Sequence, residues 1–380
     1  MLIGIDAHNL ESKKTGVGRY VFNLLKEWQS TVNSQQLTVK FILYFKDEIP
    51  TDIPQLESFE RKLLNVSSTV KFMNWDLPRA ARKDKVDVLF CPDYRGPIGY
   101  RGKMAITLHD ISYEARPGDF NWPSWADKIF LKWASKKTAQ QASVIFAPTE
   151  FVKNEVIKYY RVPAQKIVVT PEAVDPALLE LPPDLEQAIA TVKAKYGLKD
   201  KFGFYVGSIF SRRHLPELVA AFSRLAKESL NYQLLLAGRD YTTRQSVNRA
   251  AERLNQELGR EAVVRVDFIE DSELKLLYSA CAFFIWLSDY EGFGLPPLEA
   301  MSLGAPVITT EDSSLREVAG QAALLVKNNA DPEEIYRAMR WLIDDSVLRQ
   351  ELTAKGRDQV ARFSWKECAE ETLRAIINLK

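Results

Sequence analysis

Two glutamates, Glu291 and Glu299, bracket the segment E-G-F-G-L-P-P-L-E, which follows an apolar run from Ala280 to Leu287. Glycine at 292 and 294 lets backbone N–H groups come close to an anionic ligand at the start of a helix. Pro296 and Pro297 suit a first helical turn, where a missing N–H costs nothing. The expectation is a buried strand, a glycine turn and a helix, with Glu291 in the loop and Glu299 in the first turn. Carboxylates repel phosphates, so hydroxyls are their natural partners. A ligand with a central diphosphate and hydroxyls at both ends, such as a nucleotide sugar, fits both requirements.

Four other segments carry chemistry. In V-G-S-I-F-S-R-R-H, Arg212 and Arg213 could clamp a diphosphate through charge and forked donors. A solvated loop pair is the plainer reading of adjacent arginines. T-G-V-G-R-Y, Thr15 to Tyr20, offers Gly16 and Gly18 for close backbone approach, although an ordinary strand-to-helix turn reads the same. It is not G-x-G-x-x-G, and no acidic residue closes a second strand, which counts against a nicotinamide dehydrogenase. His109 of T-L-H-D closes an apolar strand and is expected to point towards a ligand. Only His8, His109 and His214 exist, so a metal site built on several histidines is not expected. Arg239 of L-A-G-R-D and Phe268–Ile269 of F-I-E-D-S-E-L could line a base or ribose pocket. The second segment serves equally as a helix start near Asp271 or Ser272.

These residues need a scaffold, and the chain is long enough for two domains of ordinary size, at 380 residues. Basic and acidic side chains nearly balance, 51 against 50, which argues against a nucleic-acid binder. The first half is slightly the more basic. Three scattered cysteines, Cys91, Cys281 and Cys368, form neither a zinc pattern nor a disulfide framework. The opening M-L-I-G-I-D suits a strand rather than a signal peptide, and no apolar run is long enough to span a bilayer. A cytoplasmic setting is the expectation.

Short apolar runs alternate with amphipathic stretches throughout. Strands are expected at 2–5, 41–45, 86–90, 104–108, 144–147 and 167–170, then at 204–206, 233–237, 263–268, 283–286, 307–309 and 323–326. Helices are expected at 17–28, 123–141, 215–227, 246–258 and 332–344. Near-continuous apolar strands separated by helices imply parallel sheets covered on both faces. Two such series imply two doubly wound, Rossmann-like domains, separated near the proline-rich stretch Asp175–Leu185. Ligands should then bind at the carboxyl ends of the strands, in a cleft between the domains.

Taken together these segments resemble a retaining glycosyltransferase of family 4, with the GT-B architecture of two Rossmann-like domains facing across a cleft. The resemblance covers nearly the whole chain. It rests on T-G-V-G-R-Y, T-L-H-D, A-P-T-E-F-V-K-N-E with P-E-A-V-D, V-G-S-I-F-S-R-R-H, and most specifically E-G-F-G-L-P-P-L-E-A-M-S-L-G-A-P-V-I followed by S-S-L-R-E-V-A-G. The start T-G-x-G-R-Y is similar to the branch rich in bacterial mannosyltransferases. The resemblance implies an acceptor-binding domain over 1–180, a nucleotide-sugar domain over 186–362, and a final helix, 363–380, packing back on the first. It places Glu291 on donor-sugar hydroxyls and Glu299 on the ribose. Phe293, Gly294 and Leu295 fall in the loop that meets sugar and phosphates. Arg212 and Arg213 stand at the diphosphate, Gly16 and Gly18 over the phosphates, and His109 is the active-site histidine. The chain departs from the family pattern at Arg213, commonly Lys, at His214, commonly Asn or Gly, and at Glu172, where P-N-G-V-D is usual.

The implied reaction is transfer of a hexose from GDP-mannose or UDP-glucose to a hydroxyl of a saccharide or lipid-linked acceptor. The anomeric configuration is retained and the new bond forms on the face the leaving group vacates. The sequence contains no D-x-D, so neither a metal nor another cofactor is expected. Two carboxylates also suit a glycosidase, but the arginines and glycine turns have no purpose there. The remaining alternative is a non-catalytic relic of the fold that binds a sugar nucleotide or a partner. Finally, Trp125, Ala126, Ile129, Phe130 and Trp133 fall on one helical face beside Lys128, Lys132 and Lys136. The commoner fate of such a face is burial in the core. The alternative is peripheral docking at the inner face of a membrane.

Overall fold

The structure is a computed structural model that describes residues 1–11, 16–35, 38–53, 59–119, 124–228, 231–242 and 245–379. It divides into two compact units. Met1–Glu172 with Ser364–Lys380 forms the first, and Ala173–Phe363 forms the second. The division falls just before the proline-rich stretch.

The first unit holds β1 (Leu2–Asp6), β2 (Lys40–Phe45), β3 (Phe59–Leu63), β4 (Val88–Cys91), β5 (Lys103–Thr107), β6 (Val144–Ala147) and β7 (Ile167–Val169). They pair in parallel in the order β3-β2-β1-β4-β5-β6-β7. The second unit holds β8 (Lys201–Val206), β9 (Tyr232–Ala237), β10 (Val263–Val266), β11 (Phe283–Trp286), β12 (Val307–Thr310) and β13 (Ala323–Val326). Their order is β10-β9-β8-β11-β12-β13, again parallel. In each sheet the strand order reverses once, between β1 and β4 and between β8 and β11. At that point the loops leaving neighbouring strands diverge, and ligands bind outside the carboxyl ends.

The central strands are buried on both faces, which accounts for their unbroken apolar sequence. Gln233, buried within β9, is tolerated because its amide donates to the carbonyls of Gly197 and Glu261 and accepts from the N–H of Lys199. β3 escaped sequence reading. As an edge strand, F-E-R-K-L carries three consecutive charged residues between two apolar ones and lacks the apolar run of its neighbours.

The final helix, Trp365–Ile377, is capped by Ser364 and packs on the helix Gly16–Gln35. Trp28 Nε1 donates to the carbonyl of Ala369 at 2.8 Å. All three cysteines are free and buried.

The helix expected over 123–141 runs Trp125–Gln141; Pro123 and the Ala126 side chain lie outside the described residues. Its apolar face is not part of the core. Trp125, Ile129, Phe130 and Trp133 are exposed by 77%, 59%, 52% and 51%. Packing instead uses the small residues Ala134, Ser135, Thr138 and Ala139. Ser135 sits in a buried hydroxyl cluster with Tyr113 and Tyr160. Small side chains let the helix approach closely, and the bulky ones remain outside.

Candidate functional site

In the second unit the predicted residues gather at the β8/β11 reversal. The loop after β11 carries Ser288, Asp289 and Glu291, and the helix Leu295–Ser302 follows with Gly294 at its cap. Gly294 has φ of 102°, and a Cβ there would lie 2.6 Å from Leu315 Cδ2. Both the left-handed backbone and the lack of space demand glycine. The loop is laced from below by serines. Ser314 Oγ donates to the carbonyls of Glu291 and Phe293, and the Glu291 N–H donates to Ser313 Oγ. Phe293 is itself buried, so its side chain does not line a ligand surface.

Glu291 accepts a hydrogen bond from Ser288 Oγ at 2.6 Å and pairs with Arg213 at 2.6 Å. The Arg213 guanidinium carbon lies over Trp286, 3.9 Å from the ring centre. The arginine is only 6% exposed. Aromatic face and carboxylate together offset the cost of burying its charge. Among the described residues its Nε finds no hydrogen-bond acceptor, and Nη1, though close to Glu291, is not aligned for a hydrogen bond. Arg212 stacks on Phe210 at 4.7 Å, and Phe210 stacks in turn on Tyr241. The arginines are therefore not the solvated pair that adjacent basic residues usually form.

His214 follows in a left-handed conformation, with φ of 51°. Its Nε2 lies 2.6 Å from Asp289 Oδ1, which also accepts from Asn329 Nδ2, while the Asp289 N–H donates to the Arg212 carbonyl. These contacts tie the arginine turn to the Glu291 loop.

Glu299 is not in the first helical turn. The helix begins at Leu295, which puts this carboxylate in the second turn, where it is 7% exposed and accepts from Tyr278 OH at 3.0 Å. Leu295, Pro296 and Pro297 fill the first turn directly after the Gly294 cap, so Glu299, the fifth residue of the helix, falls beyond it. Arg239 is exposed beside Tyr241, and Phe268 is exposed. Ile269 is buried, so its side chain does not line a ligand surface. The helix after it does begin at Asp271, with Glu273 in its first turn.

In the first unit, Gly16 and Gly18 occupy the first turn of the helix Gly16–Gln35; Thr15 lies outside the described residues. His109 lies two residues past the end of β5. Its Nδ1 is 2.7 Å from Glu172 Oε1, and the ring meets Tyr20 edge-on at 4.7 Å. A second histidine–carboxylate pair, His8 with Asp6 at 2.7 Å, lies at the end of β1, with buried Asp93 at the end of β4. Burial alone would lower both histidines, but the carboxylates outweigh it and hold both above the ordinary value. Burial pushes Asp93 up.

Trp286, Ser288, Asp289, Tyr278, Asp6, His8, Asp93 and Glu172 were not picked out as site residues from sequence. The available signals were D-A-H at the end of the first strand and the departure from P-N-G-V-D at Glu172. The others become visible only when distant segments meet.

Comparison with known proteins bears on the family and the fold. Residues 14–178 match the family model "Glycosyltransferase Family 4", and 189–359 match "Glycosyl transferases group 1". The chain is 29% identical over 385 residues to O-antigen chain mannosyltransferase B of Escherichia coli, covering 95% of each. It is 31% identical over 257 residues to the serotype-specific mannosyltransferase WbdA of Escherichia coli, covering 67% of this chain and 31% of that one. Sucrose-phosphate synthase from Thermosynechococcus elongatus superposes with a TM-score of 0.74 at 18% identity, covering 100% of this chain and 98% of that one, a likeness of fold. The fold and its relatives define a two-domain GT-B glycosyltransferase. Within that class the chain belongs to glycosyltransferase family 4.

Proposed function

We propose that the protein transfers a hexose from a nucleotide diphosphate sugar to an acceptor hydroxyl with retention. The observation that carries this is the Arg213–Glu291 pair, seated on Trp286 beside a glycine-capped helix start. A guanidinium and a carboxylate side by side suit a ligand that changes from anion to polyol over a few ångströms. Arg212, Arg213 and the N–H groups of Gly294 and Leu295 hold the diphosphate and stabilise the charge it gains as the sugar leaves. Glu291 accepts from sugar hydroxyls and Glu299 from the ribose. The bond from C1 to the diphosphate oxygen breaks. The acceptor oxygen bonds to C1 on the same face and its proton passes to the departing phosphate. Among GDP-mannose and UDP-glucose, the relatives named as mannosyltransferases favour GDP-mannose.

Purified protein is expected to release nucleoside diphosphate from GDP-mannose without acceptor, faster than from UDP-glucose, with the sugar product in the donor's anomeric configuration. No hydrolysis of either donor, together with binding of one, would identify a non-catalytic relic. The reaction is proposed to need no metal, on the lack of D-x-D. Rate lost in EDTA and restored by a divalent ion would refute that.

The acceptor is proposed to be a saccharide, lipid-linked and met at an anionic membrane surface. No helix among the described residues is long and apolar enough to cross a membrane. Trp125, Ile129, Phe130 and Trp133 stand exposed, and so do Lys71, Trp75 and Arg79 at four-residue spacing in the stretch Thr69–Lys83. A surface groove lined by Val70, Met73 and Phe130 joins the two sets. Lys132 and Lys136 turn partly inward, to Glu114 and the Tyr159 carbonyl, so Lys71 and Arg79 supply much of the attraction. Exposed rings flanked by cations suit a headgroup interface. Binding to anionic vesicles is expected at low salt, weakened by Lys71→Glu with Arg79→Glu; no binding at low salt leaves a soluble acceptor.

A further inference from the structure

His109 has an oxygen facing each ring nitrogen. Nδ1 lies 2.7 Å from Glu172 Oε1, and Nε2 lies 3.4 Å from the carbonyl of Pro92. A neutral imidazole carries one N–H, so it would satisfy one oxygen and aim a lone pair at the other. The imidazolium satisfies both. The ring is held in place by Tyr20, whose hydroxyl accepts from Thr107 Oγ1 and whose ring also packs on Trp365. Glu172 is buried, three residues beyond β7, and its side chain is 8% exposed.

The titratable and charged groups around this ring come from five segments, its own included. Glu172 follows β7. Asp93 follows β4, with Arg95 3.8 Å from it. Tyr20 comes from the helix Gly16–Gln35, and Cys368 from the final helix lies near both Tyr20 and Glu172. Asp110, next in sequence, is engaged by the N–H and hydroxyl of Ser112. The surroundings are mainly anionic. Burial opposes a charged ring, but the hydrogen bond and charge of Glu172, then Asp93 and the Pro92 carbonyl, prevail and raise it.

We propose that Glu172 is a positioning residue for His109, anchoring Nδ1 so that Nε2–H is presented as a charged donor to an oxygen of the bound substrate. This rests on the reading of His109 as a substrate contact. A carboxylate behind a histidine fixes tautomer and orientation and strengthens its partner's role. The weak bond to the Pro92 carbonyl is easily exchanged for a substrate oxygen.

The test follows the ring protons of His109 by NMR across pH in wild type and Glu172→Gln, with His109→Asn identifying the signal among three histidines. In the same proteins kcat/KM is measured against pH. The glutamine variant should titrate at lower pH. Its alkaline limb should move the same way, leaving kcat/KM at pH 8 reduced roughly tenfold, the scale of one hydrogen bond to a charged group. Glu172→Asp keeps the charge, so its limb should stay near the wild-type position even if turnover falls; this holds the test open if the glutamine variant folds poorly. An unmoved His109 midpoint in folded Glu172→Gln overturns the proposal at Glu172. A moved midpoint with an unmoved rate profile overturns it at His109, because the ring then does not meet substrate. An aspartate limb displaced as far as the glutamine limb overturns the charge argument.

Discussion

The carboxyl ends of the two sheets solve the same problem with different bases. In the second unit the buried cation is an arginine, stacked on Trp286 and paired with Glu291. In the first the buried base is a histidine, wedged against Tyr20, paired with Glu172 and held above its ordinary value by that carboxylate against the opposing effect of burial. A guanidinium stays charged at any working pH, whereas an imidazolium does so only while its carboxylate outweighs burial. The first arrangement suits permanent binding of a diphosphate. The second suits an interaction that pH can remove. A buried basic residue beside a carboxylate therefore has a meaning that depends on which base it is.

The largest effect should come from removing the permanent charge. Arg212→Ala with Arg213→Ala is expected to lower donor turnover at least ~100-fold, at every pH tested, judged from losses of single charge-stabilising donors. A folded double variant with wild-type rate would remove the diphosphate role, and a loss confined to alkaline pH would erase the contrast between the units.

The two glutamates of the second unit should separate next. Glu291→Gln is expected to reduce kcat, and Glu299→Gln to raise donor KM, each by roughly 10–100-fold, the range for a hydrogen bond to a charged group. Steady-state kinetics with varied donor distinguishes them. Equal effects on both constants would show that the two carboxylates act as one unit. Glu291→Gln also leaves Arg213 without its counter-charge, so a thermal scan is needed beside the kinetics to separate stability from turnover.

A smaller effect concerns stability. His8 and His109 are both held above their ordinary value when folded, chiefly because carboxylates prevail over burial. Their charged forms therefore favour the fold. That contribution is complete below the unfolded histidine value of about 6.5 and is lost as pH rises through the folded values. Hydrogen exchange in β1 and β5, corrected for intrinsic rates, should show weaker protection at pH 8.5 than at pH 6. β8 and β11 should change less. Equal change in both sheets would break the comparison.

Much of this protein was legible in one dimension. Parallel strands buried on both faces must be apolar throughout, so β11 and β6 stood out as unbroken runs at their observed ends. The Glu291–Glu299 loop was legible because a left-handed glycine, two prolines and two acids leave few other structures. β3 was not, because an edge strand must carry charge and loses the signal that marks central ones. The helix Trp125–Gln141 misled for a related reason. Its hydrophobic stripe is real, but periodicity says only that a helix has an apolar face and not that anything covers it.

The sequence by itself determined two doubly wound α/β domains and the glycine-rich and basic loops that end their strands, since these follow from local pattern and spacing. Tertiary structure alone decided the partners. Arg213 and Glu291 are 78 residues apart, and His109 and Glu172 are 63 residues apart. No periodicity links them. They meet because parallel strands all end on one edge of the sheet and deliver their loops side by side, however much chain lies between.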